Sequence, residues 1–164
     1  MLYLLDANVL ITAHRQYYGI ERVPEFWEWL IFMGERGSVK IPQEIYDEFS
    51  EGDDRLAIWA QQENVRDALI LGEETNVDEV RYVMSNGYAP DLTDDEVEQV
   101  GKDPFIIAYA RVDLQNRTVV TTEVSKPGKQ RANRHIPNVC NDLGVLCCNT
   151  FELTIALDFK TGWK

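Results

Sequence analysis

The chain has 164 residues, 45% of them hydrophobic, and a formal net charge of −12 at pH 7, which predicts one globular domain over residues 1–164. The negative charge argues against a protein that holds nucleic acid through a globally basic surface, but it leaves a local basic site open. No apolar run approaches the roughly 20 residues needed to cross a bilayer, and no signal peptide is recognisable, so we expect a cytoplasmic protein without membrane association.

The chain begins with a pattern typical of a strand followed by a helix. Residues 2–5 form a short apolar run that ends at Asp6. Asn8 then stands where it could cap a helix that runs towards Tyr18. A carboxylate directly after a buried strand lies at the rim of the sheet, so Asp6 is the first candidate for chemistry.

A second helix and a second strand follow. Pro24 suits the first turn of a helix that ends near Gly34. Residues 39–41 are a short run with two β-branched residues, Val39 and Ile41, which predicts a strand. Pro42 then opens a helix that carries Glu48.

The middle of the chain is mainly helical in pattern. Asp53 or Asp54 is placed to cap one helix, residues 77–84 are amphipathic, and Thr93 begins a capping signature before another helix. Residues 69–71 fit either a strand or a helix.

The last third returns to alternating elements. Asp103 is expected to cap a helix that Pro104 opens, residues 118–122 are expected to form a strand leading to Glu123, and residues 145–147 another strand. Strands separated by helical segments predict an α/β fold, a three-layer α/β/α sandwich with a mainly parallel central sheet.

Four acids occupy related positions in this scheme: Asp6, Glu48, Asp103 and Glu123. Each alone could be an ordinary strand end, helix cap or surface acid. Because the carboxyl ends of parallel strands meet at one edge of a sheet, together they predict a common pocket. Oxygen ligands without a matching histidine or thiolate set favour Mg²⁺ or Mn²⁺.

The motifs around these acids resemble those of PIN (PilT N-terminus) domains, including the VapC-type toxins of bacterial toxin–antitoxin pairs. The similarity rests on LLDANVLI, IPQEIYDEF, DPFIIAYA and VVTTE, and it spans residue 2 to about residue 148 with a helical insert. It implies a PIN-like sandwich and a metal-dependent ribonuclease. Asp6, Glu48, Asp103 and Glu123 would then be the catalytic and metal-binding residues.

The resemblance also suggests supporting residues, and it has one departure. Asn8 and Thr121 match polar positions that help to arrange the pocket in that family. The fourth acid is commonly an aspartate there, whereas this chain has Glu123. Asp142 could substitute for it or assist it. The implied reaction is in-line attack of a metal-activated water on a phosphodiester, with one or two ions.

A basic loop follows the fourth acid, with the sequence KPGKQRANR. Its cations Lys126, Lys129, Arg131 and Arg134 could gather RNA phosphates beside the metal. His14 and Arg15, near the end of the first helix, could add to this surface. The resemblance further implies an antitoxin protein as a partner, and the sequence leaves open whether the chain forms a homodimer.

Other functions fit the residues less well. A phosphatase of the haloacid dehalogenase type needs a second acid at the position of Asn8. A phosphorylation-receiver domain has its aspartate after a middle strand, whereas Asp6 follows the first strand. A zinc site of His135, Cys140 and Cys147 lacks the paired CxxC spacing of structural zinc sites. A PIN-like scaffold that binds RNA or a partner without cutting stays open as the alternative.

Overall fold

The structure of the protein, a computed structural model, describes all residues from 1 to 164 and has four parallel strands at its centre. The strands are β1 (Leu2–Leu5), β2 (Val39–Lys40), β3 (Arg117–Val120) and β4 (Leu146–Cys148). They are ordered β2-β1-β3-β4, and every neighbouring pair is parallel. The expected α/β class is confirmed, with an all-parallel sheet flanked by helices as in a three-layer sandwich.

Ten α-helices surround the sheet. They are α1 (Ala7–Thr12), α2 (Pro24–Glu35), α3 (Gln43–Ser50), α4 (Arg55–Ala60), α5 (Glu63–Leu69), α6 (Val77–Val83), α7 (Asp94–Val100), α8 (Asp103–Arg111), α9 (Ile136–Leu143) and α10 (Thr150–Ala156). Short π-helical segments, Ala13–Tyr17 and Met84–Tyr88, continue α1 and α6. None of the helices has both the length and the apolar character needed to cross a lipid bilayer.

The central strands are buried, as expected when helices cover both faces of a parallel sheet. Leu4, Leu5, Val119 and Val120 expose no surface, and they belong to a core cluster of 39 buried hydrophobic residues. Close packing extends to the helices. A Cβ atom added at Gly34 of α2 would lie 2.5 Å from a carbonyl oxygen of α5, so these helices require glycine at that position.

Several helix starts follow the local signals in the sequence. Pro24 occupies the first turn of α2, Asp54 accepts a hydrogen bond from the Ala57 N–H at the start of α4, and Thr93 forms the expected capping box with Glu96. Asp54 and Thr93 accept hydrogen bonds from backbone N–H groups that have no partner within the helix, whereas Pro24 has no N–H group that needs one.

Three boundaries differ from expectation by one or two residues. The residue that precedes α1 is Asp6 rather than Asn8, and Lys102 precedes α8, so Asp103 lies inside the first turn of that helix. Strand β3 ends at Val120. The fourth acid, Glu123, therefore belongs to the loop beyond the strand and not to the strand end.

The ambiguous apolar run at residues 69–71 is divided between two states. Leu69 ends α5, whereas Ile70 forms an isolated parallel bridge with Ile41, just beyond β2. Helix α9 was not expected. It follows the basic loop and leads into β4, which completes the alternation of helices and parallel strands.

The topology brings the ends of all four strands to one edge of the sheet. Asp6 directly follows β1, Thr121 directly follows β3, Asn149 directly follows β4, and α3 begins shortly after β2. Chain order reverses between β1 and β3, because β1 is followed by β2 on one side and β3 lies on the other. Ligands of open α/β sheets bind at such a switch point.

Candidate active site

Asp6 lies at the centre of the carboxyl edge of the sheet. Asp6 is only 3% exposed, and its Oδ2 accepts a 2.9 Å hydrogen bond from the Thr121 hydroxyl. Burial raises the pKa of Asp6, and the negative charge of Glu123 adds to this, although the Thr121 hydrogen bond partly offsets it. The site therefore holds a desolvated carboxylate at a fixed position.

Asp103 faces the same position from α8. Its pKa is raised to about 8, first by burial and then by the charges of Asp6, Glu123 and Glu48. These causes place Asp6, Glu123 and Glu48 within electrostatic reach of Asp103. The carboxylate of Asp103 makes no hydrogen bond within the protein, so its oxygens are free to bind a ligand.

Glu48 approaches from α3, on the more open side of the site. Partial burial raises its pKa and the charge of Asp6 adds to the shift, whereas the nearby ammonium of Lys102 lowers it. The carboxylate has no hydrogen-bond donor within the protein. Glu48 therefore offers free oxygens at the solvent-facing rim of the acid cluster.

Glu123 is held by the first turn of α9. Its Oε2 accepts a 2.7 Å hydrogen bond from the Ile136 N–H, and its own backbone N–H donates to Thr121 Oγ1 at 3.1 Å. A carboxylate at a helix N-terminus is stabilised by the helix dipole and by the unpaired N–H groups there. Glu123 therefore makes a structural contact with α9 while it lies close enough to influence the pKa values of Asp6 and Asp103.

Together these contacts bring the four expected acids, which are far apart in sequence, to one place. We refer to Asp6, Glu48, Asp103 and Glu123 as the acid cluster. Its donors are all hard carboxylate oxygens. When they are ionised, a divalent cation such as Mg²⁺ or Mn²⁺ would neutralise their negative charge and relieve the repulsion between them. The donor set therefore fits a hard cation.

The acid cluster is not arranged as a closed coordination shell. No group of three or more His, Cys, Asp and Glu side chains in the structure has an arrangement that could hold a metal ion. This holds also for the zinc alternative of His135, Cys140 and Cys147. Like charges favour separation of carboxylates when no cation lies between them.

Of the supporting residues expected from the sequence, Thr121 contacts the cluster most directly. It is 1% exposed and bridges Asp6 and Glu123. Asn8 is exposed in the first turn of α1 and makes no side-chain hydrogen bond. Asp142 instead forms an ion pair with Arg134 of the basic loop, and this hydrogen bond lowers its pKa.

The basic loop is divided between free and paired cations. Arg131 forms ion pairs with Glu96, at 2.7 Å, and with Asp91, at 2.8 Å. Arg134 donates to the carbonyl of Gly87 as well as to Asp142. Lys126 and Lys129 have exposed side chains without ion pairs. Of the four cations in this loop, only the two lysines are therefore available to bind phosphates without breaking an ion pair.

The structure adds a residue that sequence reasoning missed. Tyr88 is 7% exposed, and its hydroxyl has no hydrogen-bond partner. Burial raises its pKa, and the charges of Asp103 and Glu123 contribute to the rise. Tyr88 is therefore a buried donor without a partner, within electrostatic reach of two members of the acid cluster. No local motif marks Tyr88, since α6 and its π-helical continuation bring it to the site.

Comparison with known proteins gives one match. A family model described as "Domain of unknown function (DUF4411)" matches residues 3–161, which is nearly the whole chain. No curated protein and no solved structure matches the chain.

Proposed function

The chain belongs to the DUF4411 family, and we propose that it is an Mg²⁺- or Mn²⁺-dependent ribonuclease that hydrolyses RNA phosphodiester bonds at the acid cluster. The observation that carries the proposal is the convergence of four carboxylates in a buried site, where burial and then the charges of Asp6, Glu123 and Glu48 raise the pKa of Asp103 to about 8. Perturbed acids of this kind are concentrated at functional sites. The resemblance to PIN domains supplies the choice of RNA as the substrate.

The roles of the residues follow from their contacts. Asp103 and Glu48 have oxygens without protein donors and would hold the cation together with Asp6, whose orientation Thr121 fixes. The bound cation would lower the pKa of a coordinated water and neutralise charge that develops on the phosphate. Glu123 would contribute to the cation site the carboxylate oxygen that does not bind the Ile136 N–H group. Tyr88 would donate a hydrogen bond to substrate or water at the acid cluster.

The proposal extends to the biological setting through the same resemblance. A VapC-like toxin would act on RNA in the cytoplasm and would be held inactive by an antitoxin protein. The three cysteines form no disulfide, which suits a reducing compartment. Expression of the wild type in a bacterium should then arrest growth, whereas expression of Asp103→Asn should not.

A direct test measures metal binding and cleavage on the same preparation. Titration calorimetry with Mn²⁺ should give a saturable signal for the wild type, and Mn²⁺ should raise its melting temperature by mass action. Single-stranded RNA should be cut with Mn²⁺ and not with chelator. Asp103→Asn, purified in parallel, controls for contaminating nucleases. Equal cleavage with and without chelator would contradict the proposal.

A second candidate is a PIN-like scaffold that binds RNA or a protein partner without cutting. It is favoured by the Ile136 hydrogen bond, which engages one oxygen of Glu123 in a structural contact, and by the absence of a preformed cage for a metal ion. Calorimetry separates the two candidates, because the scaffold would bind RNA while showing no saturable binding of Mn²⁺.

A further inference from the structure

Three pockets that share lining residues follow one another from the carboxyl ends of β3 and β4 past the end of α1. The first, of about 360 Å³, is lined by Glu123 of the acid cluster. It shares Thr122, Val124 and Asn149 with the second, of about 440 Å³. The second shares Gln16 and Tyr17 with the third, of about 290 Å³. We call this row of three pockets the edge groove.

An exposed aromatic pair lines the middle of the edge groove. Tyr17 is 47% exposed and Phe151 is 51% exposed, and their ring centroids lie 5.4 Å apart in an edge-on arrangement. The two residues come from opposite ends of the chain, so the fold assembles this pair. Exposed aromatic faces stack nucleobases without regard to sequence.

A buried polar atom lies beside the aromatic pair. Thr150 lines the middle pocket and is 5% exposed, and its hydroxyl has no hydrogen-bond partner. An unsatisfied hydroxyl costs free energy unless a ligand or water completes it. A ribose hydroxyl or a base edge in the groove would supply the missing partner.

Positive charge is concentrated at the far end of the edge groove. Arg15, Arg22 and Arg55 line the third pocket, together with one acid, Glu21. Arg55 forms an ion pair with Glu21, whereas Arg15 and Arg22 have exposed side chains without ion pairs. In a chain with 28 acids and 16 lysines and arginines, this local excess of cations favours an anion such as a phosphate.

We propose that the edge groove binds single-stranded RNA, with a phosphate at the arginine pocket, a base on the Tyr17–Phe151 pair and the next phosphodiester at the acid cluster. The inference rests on the proposed function and names the form of its substrate. Stacking on the pair needs an unstacked base, which a duplex does not offer. Arginines, the aromatic pair and Glu123 of the acid cluster follow one another along the three pockets, which is the order of phosphate, base and phosphodiester along one strand.

The aromatic contribution is tested by binding of fluorescently labelled oligouridine in EDTA, where metal-dependent cleavage stops. Phe151→Leu should weaken binding about tenfold, because it keeps an apolar side chain but loses the aromatic face. Phe151→Tyr should bind like the wild type. Ile155→Ala, which changes another exposed apolar side chain of α10, is the matched control and should have no effect.

The electrostatic contribution is tested by the salt dependence of the same binding. Arg22→Gln should reduce the slope of log affinity against log salt by about 0.7, the value for one neutralised phosphate on a single strand. Arg81→Gln removes the same charge from an arginine that lines none of the three pockets and should leave the slope unchanged.

The outcomes separate this inference from the proposed function. If Phe151→Leu and Arg22→Gln both bind oligouridine like the wild type, or if Arg81→Gln weakens binding as much as Arg22→Gln, the edge groove is not the RNA site. A protein partner on the groove would give the first of these results. Groove-dependent binding without metal-dependent cleavage would retain the inference and overturn the proposed nuclease activity.

Discussion

Thr121 joins the ends of the two central strands, because its hydroxyl donates to Asp6 at 2.9 Å while it accepts from the Glu123 N–H at 3.1 Å. Asp6 follows β1 and Thr121 follows β3, so the bond crosses the switch point of the sheet. One buried side chain thereby fixes the positions of two members of the acid cluster. A site that depends on such support is sensitive to changes outside the metal ligands themselves.

The first prediction concerns this bridge. Thr121→Val keeps the shape of the side chain but removes both hydrogen bonds at a position that is 1% exposed, so we expect a loss of about 1–3 kcal/mol in the free energy of unfolding. Metal-dependent cleavage should also fall, since Asp6 is no longer oriented. Thr121→Ser keeps the hydroxyl and should retain most of the stability and most of the cleavage activity of the wild type. Urea denaturation and RNA cleavage measure the two effects, and a Thr121→Val protein as active as the wild type would contradict the bridging role.

The second prediction concerns pH and the metal-free protein. The pKa of Asp103 in the folded state is about 8, well above its unfolded value, so the stability that it contributes is present below about pH 4 and is lost as pH rises through 8. Asp6 and Glu48 are shifted in the same direction. We therefore expect the free energy of unfolding in EDTA to fall between pH 5 and pH 8, with Asp103 contributing at most about 1.4 kcal/mol per pH unit.

Asp103→Asn provides the control for this profile. The substitution removes one titrating group and one repelling charge, so the variant should be at least as stable as the wild type at neutral pH and should lose less stability as pH rises. At low pH a different group contributes. The Arg131 hydrogen bond lowers the pKa of Glu96 to about 2, and the stability from this pair is lost as pH falls towards that value. A variant with the same pH profile as the wild type would place Asp103 outside the repulsive cluster.

Short stretches of sequence predict several features of this fold closely. Asp6, Thr93 and Pro24 lie in patterns of a few residues, and the strands and helix starts near them were predicted to within one or two positions. The convergence of the four acids also followed from strand polarity, because all parallel strands end at one edge. The ion pairs and hydrogen bonds of Arg131 and Arg134 were not predictable, since their partners lie up to 47 residues away and are set by packing.

The same limit explains two further differences. Tyr88 and Phe151 look like ordinary aromatic residues in the sequence, and only the tertiary structure places one beside the acid cluster and the other on the edge groove. Helix α9 was missed because Ile136 and Pro137 follow a polar loop without a capping side chain on the preceding residue. The carboxylate of Glu123 supplies that contact from 13 residues away.

The third prediction concerns Tyr88. Its buried hydroxyl has no partner in the protein, so Tyr88→Phe should leave the melting temperature unchanged or higher, because an unsatisfied buried polar group is removed. If the hydroxyl donates to substrate or water at the acid cluster, kcat should fall about tenfold or more, with little change in KM. Thermal denaturation and steady-state cleavage test the two parts. A variant that is clearly less stable than the wild type, or fully active, would contradict the proposed role.

The last prediction separates the free from the paired cations of the basic loop. Lys126 and Lys129 are exposed without ion pairs, so the double variant Lys126→Gln/Lys129→Gln should reduce the salt slope of RNA binding by about 0.7 for each phosphate that these lysines neutralise in the wild type. Its stability should equal that of the wild type. Arg131→Gln should do the reverse, with a small fall in the free energy of unfolding because exposed ion pairs contribute little, while the salt slope stays the same. Equilibrium binding at several salt concentrations and urea denaturation measure both variants. If Arg131→Gln flattens the salt dependence as much as the lysine variant does, the ion pairs with Asp91 and Glu96 open in the RNA complex and the loop acts as a unit.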